Sequence, residues 1–139
     1  MAPEKQFGNA WILLALALAL HVADEALTGF LSVWNPLATT VREQVPFLPL
    51  PTFSFGVWLT GLILGVALLL ALSPLAFRGV RWLVPFAYFL GIIMIGNGLL
   101  HIGGSFYFGR LMPGVYSCPL LLGAAIYLLV SARRLRYRG

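Results

Sequence analysis

Four long apolar runs separated by short connections dominate this chain and leave it almost no choice of solvent. Each run matches the roughly 20 residues that a helix needs to cross the hydrocarbon of a bilayer, and a chain of 139 residues has room for little else. Only 9% of the residues are charged and 60% are apolar, whereas a soluble domain carries roughly 25% charged residues. At a mean hydropathy of +0.94 the chain has too few polar groups to cover a surface facing water. The expected fold is therefore an all-α membrane protein, a four-transmembrane-helix bundle. Residues 1–139 form one domain, with spans near 10–34, 53–77, 81–108 and 113–132.

Prolines and charges punctuate these spans. Pro85 is tolerated in the opening turn of the third span, and Pro113 occupies a favoured first position of the fourth. Pro119 lies six residues later, where the pattern predicts a kink near Tyr116 and a freed Val115 carbonyl. Residues 78–81 and 110–112 read as tight turns. Residues 35–52 hold Pro36, Pro46, Pro49 and Pro51 and read as a proline-stiffened loop on the lipid headgroups; the capping-box spacing of Thr40 and Glu43 leaves a short interfacial helix as the alternative. The glycines of the third span (Gly91, Gly96, Gly98, Gly103 and Gly104) suit close helix packing.

Lys and Arg in short loops set orientation. With the N-terminus inside, Lys5, Arg78, Arg81, Arg133, Arg134, Arg136 and Arg138 face the cytoplasm, and only Arg42 and Arg110 face outward. That bias, with an even number of spans, places both termini on the cytoplasmic side of the cell membrane. The first 23 residues have a weakly basic start and a poor cleavage site, so they read as an uncleaved span rather than a signal peptide. The net charge of +5 comes with no nucleic-acid module; its C-terminal arginines suit anionic lipid headgroups. Cys118 is the single cysteine, which excludes an internal disulfide and a thiolate metal cluster. Membrane lipids, a second copy of the chain and a small hydrophobic substrate are the partners this composition allows.

The exception to this apolar pattern is in the first span, where His21, Asp24 and Glu25 interrupt a Leu/Ala-rich helix. A carboxylate at a helix centre costs about 3 kcal/mol to insert, and each large aliphatic or Phe residue returns about 0.5 kcal/mol. The eleven Leu, Ile, Val and Phe residues between positions 10 and 34 barely offset the polar trio. Asp24 and Glu25 both flank His21 at helical spacing, and Thr28 and Ser32 extend the stripe, so this face must turn away from lipid. The third span offers a counterpart in Asn97 and His101, four residues apart. At about 1.5 Å per residue, Asn97 lies about 24 Å from its inner boundary and the two acids about 21 to 23 Å from theirs. The polar groups match in depth, nearer the outer side.

The run His21-Val22-Ala23-Asp24-Glu25 resembles the signature of the HXXEE family of small bacterial membrane proteins. Asn97-Gly98-Leu99-Leu100-His101-Ile102-Gly103-Gly104 resembles that family's second polar helix, and Arg110-Leu111-Met112-Pro113-Gly114-Val115, with Pro119 beyond, its Arg-x-x-Pro-Gly segment. Asp24 stands where the family usually has Glu, and its shorter arm must reach whatever that Glu reaches. The resemblance implies a polar site in a small multi-pass membrane protein and implies no reaction type.

Three readings of the polar residues stay open. In the first, His21, Glu25, His101 and Asp24, with Asn97 beside them, hold one divalent Zn, Mn or Fe ion in an enzyme acting on a lipid-like substrate, with Glu25 and Asp24 as acid/base groups. Tyr116 on the fourth span, sharing a face with Gly123 and Tyr127, would roof this pocket. Thr28 would support it, and Arg110 would stand at its mouth or pair with Glu43. The donor set is too poor for a dinuclear carboxylate centre and lacks the spacing of a zinc protease helix. In the second, Glu25 and a histidine exchange a proton in a small-molecule transporter. In the third, the cluster only joins helices, each interhelical polar contact contributing about 0.6 to 2 kcal/mol. Trp11, Trp34, Trp58 and Trp82 read as anchors and packing groups.

Overall fold

The computed structural model describes residues 1–137; Arg138 of the C-terminal basic cluster lies outside them. The chain runs α1 (Pro3–Thr28), α2 (Leu31–Gln44), α3 (Phe55–Ala71), α4 (Ser73–Phe77), α5 (Leu83–Phe108), a 3₁₀ turn (Val115–Ser117) and α6 (Cys118–Arg136), and no strand occurs among the described residues. Four helical segments are long and apolar enough to cross a membrane: Pro3–Thr28, Phe55–Phe77, Leu83–Phe108 and Val115–Arg136. Arg134 donates a 3.1 Å hydrogen bond to Gln6, so the start of α1 and the end of α6 share one end of the bundle.

α6 is the spine. α5 packs along one side of it and α1 along another, while α3 and α4 lie against α1. On α1 the buried seam runs Phe7, Trp11, Leu14, then partly buried Leu18, then His21 and Glu25. Those steps alternate four and three residues, the spacing that keeps a helix face turned to one neighbour. The ionisable groups thus occupy the same seam as the core. Facing them, α6 contributes Leu121, Ala124, Ala125, Leu128 and Ala132, all buried. The alanines let the two backbones approach, which matters where lipid removes the hydrophobic drive and leaves packing to join helices.

The α3–α4 junction shows how polar backbone is satisfied locally. Pro74 has no N–H to offer the Leu70 carbonyl, and the Ser73 hydroxyl donates to that carbonyl at 2.7 Å instead. One residue earlier, the Leu69 carbonyl accepts the buried indole N–H of Trp11 at 2.7 Å, joining α3 to α1.

Four sequence expectations change. The first span does not run to residue 34: α1 stops at Thr28 because Gly29 takes a left-handed conformation (φ 80°) and its N–H caps the Glu25 carbonyl. The segment expected as a proline-stiffened loop is helical over Leu31–Gln44, with Pro36 inside it. The restart at Gly29 supplies a new helix, and only Pro46, Pro49 and Pro51 mark irregular backbone, at residues 45–54. The helix is anchored at its far side by Asn35, which donates to the Phe53 carbonyl at 2.8 Å and accepts from the Phe53 N–H at 3.0 Å. Pro113, read as the first helical position of the fourth span, lies in the turn before Val115, and Pro119, read as a kink, instead sits in the first turn of α6 after a 3₁₀ turn. That is where a missing N–H costs nothing. Of the third-span glycines, Gly91, Gly98 and Gly104 pack against Leu129, Leu122 and Met112, whereas Gly96 and Gly103 face open space.

Trp11→Phe keeps the ring volume near that of the seam and deletes the bond to Leu69. Its thermal unfolding in detergent is expected to lose about 1 to 2 kcal/mol; an unchanged midpoint would show that this bond does not hold α3 to α1.

Candidate metal centre

Glu25 stands one turn before the end of α1, and the chain reversal at Gly29 closes over it. The Phe30 N–H donates to the Glu25 carbonyl at 2.9 Å, which draws the Phe30 ring inward. There it lies 5.6 Å from the His101 ring and stacks on Trp34 at 6.0 Å and Trp58 at 5.8 Å. A cap dictated by one glycine thereby becomes an aromatic cover on the site.

Under that cover three side chains converge. His101 Nε2 of α5 lies 3.0 Å from Glu25 Oε1, and His21 Nε2, one turn back on α1, lies 3.5 Å from the same oxygen. His21, Glu25 and His101 are 1%, 5% and 6% exposed. The two imidazoles meet edge to face with centroids 5.0 Å apart, and one donor atom from each of the three residues lies within 4.8 Å of the others.

The segment between α5 and α6 completes the enclosure. Gly114 sits at φ 86°, and a Cβ there would fall 2.7 Å from Glu25 Cγ and 3.0 Å from His101 Cε1. Only glycine fits both the backbone angle and the space. The Gly114 N–H donates to Thr28 Oγ1 at 3.1 Å, which ties this turn to the end of α1.

Asp24 turns a different way from Glu25. Its Oδ2 accepts both the Ser117 N–H and the Ser117 hydroxyl, each at 2.8 Å. Ser117 is the N-cap residue of α6, so a carboxylate from α1 meets the positive end of the spine helix. The hydroxyl of Ser117 also contacts His21 Nδ1 at 2.8 Å. Ser117 has one proton to donate, and the charged carboxylate is its strongest acceptor. Its oxygen is then left to accept from His21 Nδ1–H. In the neutral imidazole this leaves the lone pair on His21 Nε2, which is buried and has no hydrogen-bond partner. It faces Glu25 Oε1 across 3.5 Å, where a neutral imidazole sets two acceptors against each other and a protonated one makes an ion pair.

The expected residues therefore separate into groups. His21, Glu25 and His101 come together. Asp24 is held at Ser117 and supports His21 from behind, instead of joining the donor triad. Asn97 is half-buried with its carbonyl oxygen unpartnered, and α5 meets Glu25 through His101, one turn beyond it. Tyr116 is 69% exposed and does not roof the pocket; the 3₁₀ turn rotates it away from the helical face it was assigned to. Arg110 is exposed, and among the described residues no ion pair joins it to Glu43. Ser117, Gly114 and Phe30 were missed as site residues. Residues 110–112 read as a tight turn, but nothing local indicated that the chain there would press on α1.

A family model described as a protein of unknown function with an HXXEE motif matches residues 11–128. The chain belongs to the HXXEE family. The matched region carries His21, Glu25, His101, Gly114 and Ser117, and the Asp24 variation on the motif reaches its partner with two short bonds. No curated protein and no solved structure matches the chain.

Asp24→Ala should leave the Ser117 N–H without its acceptor and release His21, a loss of about 1 to 3 kcal/mol in detergent unfolding. Asp24→Asn keeps an acceptor and should lose less. Equal losses for the two would contradict the relay. Gly114→Ala should be harsher than either, because it adds strain to collision.

Proposed function

We propose that this HXXEE protein is a membrane-embedded metalloenzyme whose single divalent ion is held by His21 Nε2, Glu25 and His101 Nε2. The reading rests on one observation above the rest: His21 Nε2 is a buried nitrogen without a hydrogen-bond partner aimed at a carboxylate, with its other nitrogen already bonded to Ser117. Such an arrangement is unfavourable unless something positive lies between the two acceptors. Donors about 2.1 Å from one ion stand roughly 3.0 to 3.4 Å apart at ordinary coordination angles, and the two Glu25–histidine separations are 3.0 and 3.5 Å. Two imidazoles and one carboxylate are the donor set of catalytic zinc and of open non-haem iron centres. The Asp24–Ser117–His21 chain acts as the outer support that orients a ligating histidine and fixes its tautomer.

A bound ion of this kind would supply an activated water or polarise a carbonyl or phosphoryl oxygen. The protein's own contribution is a dry, rigid enclosure, with Phe30 and Gly114 excluding water and Ser117 holding the imidazole. Beside it, a cavity of about 500 Å³ is lined by Ile102, Phe106, Arg110, Leu111 and Val115. It combines apolar walls with one cation, which suits an amphiphile with a negative head entering from the membrane. In this reading the chain lies in the cell membrane with both termini cytoplasmic and the site toward the outer leaflet.

The sharing of one carboxylate oxygen by two imidazoles also favours a second reading, in which the triad holds a proton and the chain is a proton-coupled transporter. Elemental analysis of the purified protein separates them. The metalloenzyme should carry about one divalent ion per chain and lose it in Glu25→Gln and His101→Ala. Added metal at 100 times its Kd should restore about 2.7 kcal/mol to a stripped sample. Folded protein without an ion, and with melting indifferent to Zn, Mn and Fe, would refute the metal centre. Proteoliposome uptake that survives Glu25→Gln would refute the transporter.

A further inference from the structure

A second cavity lies at the other end of the bundle, with the two termini, and the metal reading makes no use of it. It measures about 540 Å³ and brings together Arg78 and Arg81 from the α4–α5 turn with Arg136 from the last turn of α6. Tyr88, one helical turn into α5 beyond Pro85, presents a phenol to the same space, and Val84, Pro85 and Leu135 form its apolar wall. Glu4 is the single acid among its lining residues, so three formal positive charges meet one negative. Among the described residues none of these arginines takes part in a salt bridge.

Three guanidinium groups gathered from two distant parts of the chain repel one another, and the fold does not neutralise them. The turn that gathers them is tightly built: Gly79 has φ 63°, and a Cβ there would lie 2.9 Å from Glu4 Cγ and 3.3 Å from Leu135. From this we infer that the cavity is a binding site for the phosphate headgroup of an anionic membrane lipid. Guanidinium forks match phosphate oxygens in pairs, and the phenol can donate to a further oxygen. The apolar wall belongs to α5 and α6, both long enough to cross a membrane, so an acyl chain can continue along them from the headgroup. Basic pockets between spans on the cytoplasmic side recognise anionic lipids by this chemistry, and the distribution of Lys and Arg puts this end inside. A free phosphate would satisfy the arginines but leave the wall unused.

Native mass spectrometry of the full chain in detergent tests the site with phosphatidylglycerol, phosphatidylcholine, glycerol phosphate and inorganic phosphate as separate probes. Phosphatidylglycerol should be retained at least tenfold better than phosphatidylcholine and than either soluble phosphate. Arg78→Gln/Arg81→Gln should lower its retention about 25-fold, about fivefold per arginine, and Arg136→Gln alone about fivefold. Arg133→Gln, outside the cavity at the same end, should change it less than twofold. All these positions are exposed, and a melting curve checks that each variant is folded. Equal retention of the two lipids, an equal effect of Arg133→Gln, or binding of soluble phosphate as tight as that of the lipid would overturn the inference.

Discussion

Glu25 is a buried carboxylate on the seam of α1, and much of the structure follows from that. A carboxylate on the buried seam of a membrane-length helix must have its charge met inside the protein. The groups nearest its Oε1 are His101 Nε2 at 3.0 Å and His21 Nε2 at 3.5 Å. α1 and α5 are arrayed around α6 rather than packed along each other; this polar contact joins them at one end, as the Trp11–Phe86 ring pair does nearer the other. The site therefore also decides the bundle's arrangement at that end. Removing it would leave each helix with an uncompensated group in an apolar setting, the costly half of any buried pair.

The support around Glu25 is equally economical of parts. Asp24 ties α1 to the start of α6 through Ser117, Ser117 fixes His21, and Thr28 holds the Gly114 backbone against Glu25 and His101. Two adjacent acids thus have different tasks. One faces the triad and the other stiffens it, because neighbouring residues on a helix point about 100° apart and meet different neighbours. Replacement of the usual Glu by Asp at position 24 works here because Ser117 sits close enough for the shorter arm.

Several features were legible in the residues themselves. Four spans followed from run length, and helical spacing with the matched depth of Asn97 and the two acids pointed to a shared inward site for His21, Asp24, Glu25, Asn97 and His101, of which His21, Glu25 and His101 come together. What misled were prolines considered singly. Pro36 suggested a loop and Pro119 a kink, yet the first lies within α2 and the second opens α6. A proline marks a missing donor, and whether that breaks a helix or starts one depends on where the preceding cap falls. Gly29 and Ser117 set those caps.

Sequence alone determined four helices long and apolar enough to cross a membrane, and it determined that the ionisable residues of the first span must seek protein partners. Tertiary structure decided who those partners are. His101 rather than Asn97 reaches Glu25, Ser117 claims Asp24, Phe30 covers the site, and Tyr116 turns away. Spacing along a helix fixes which face a residue is on, but the rotation and height at which two helices meet depend on caps and on the small residues between them. Those are properties of the packed bundle, and no single segment carries them.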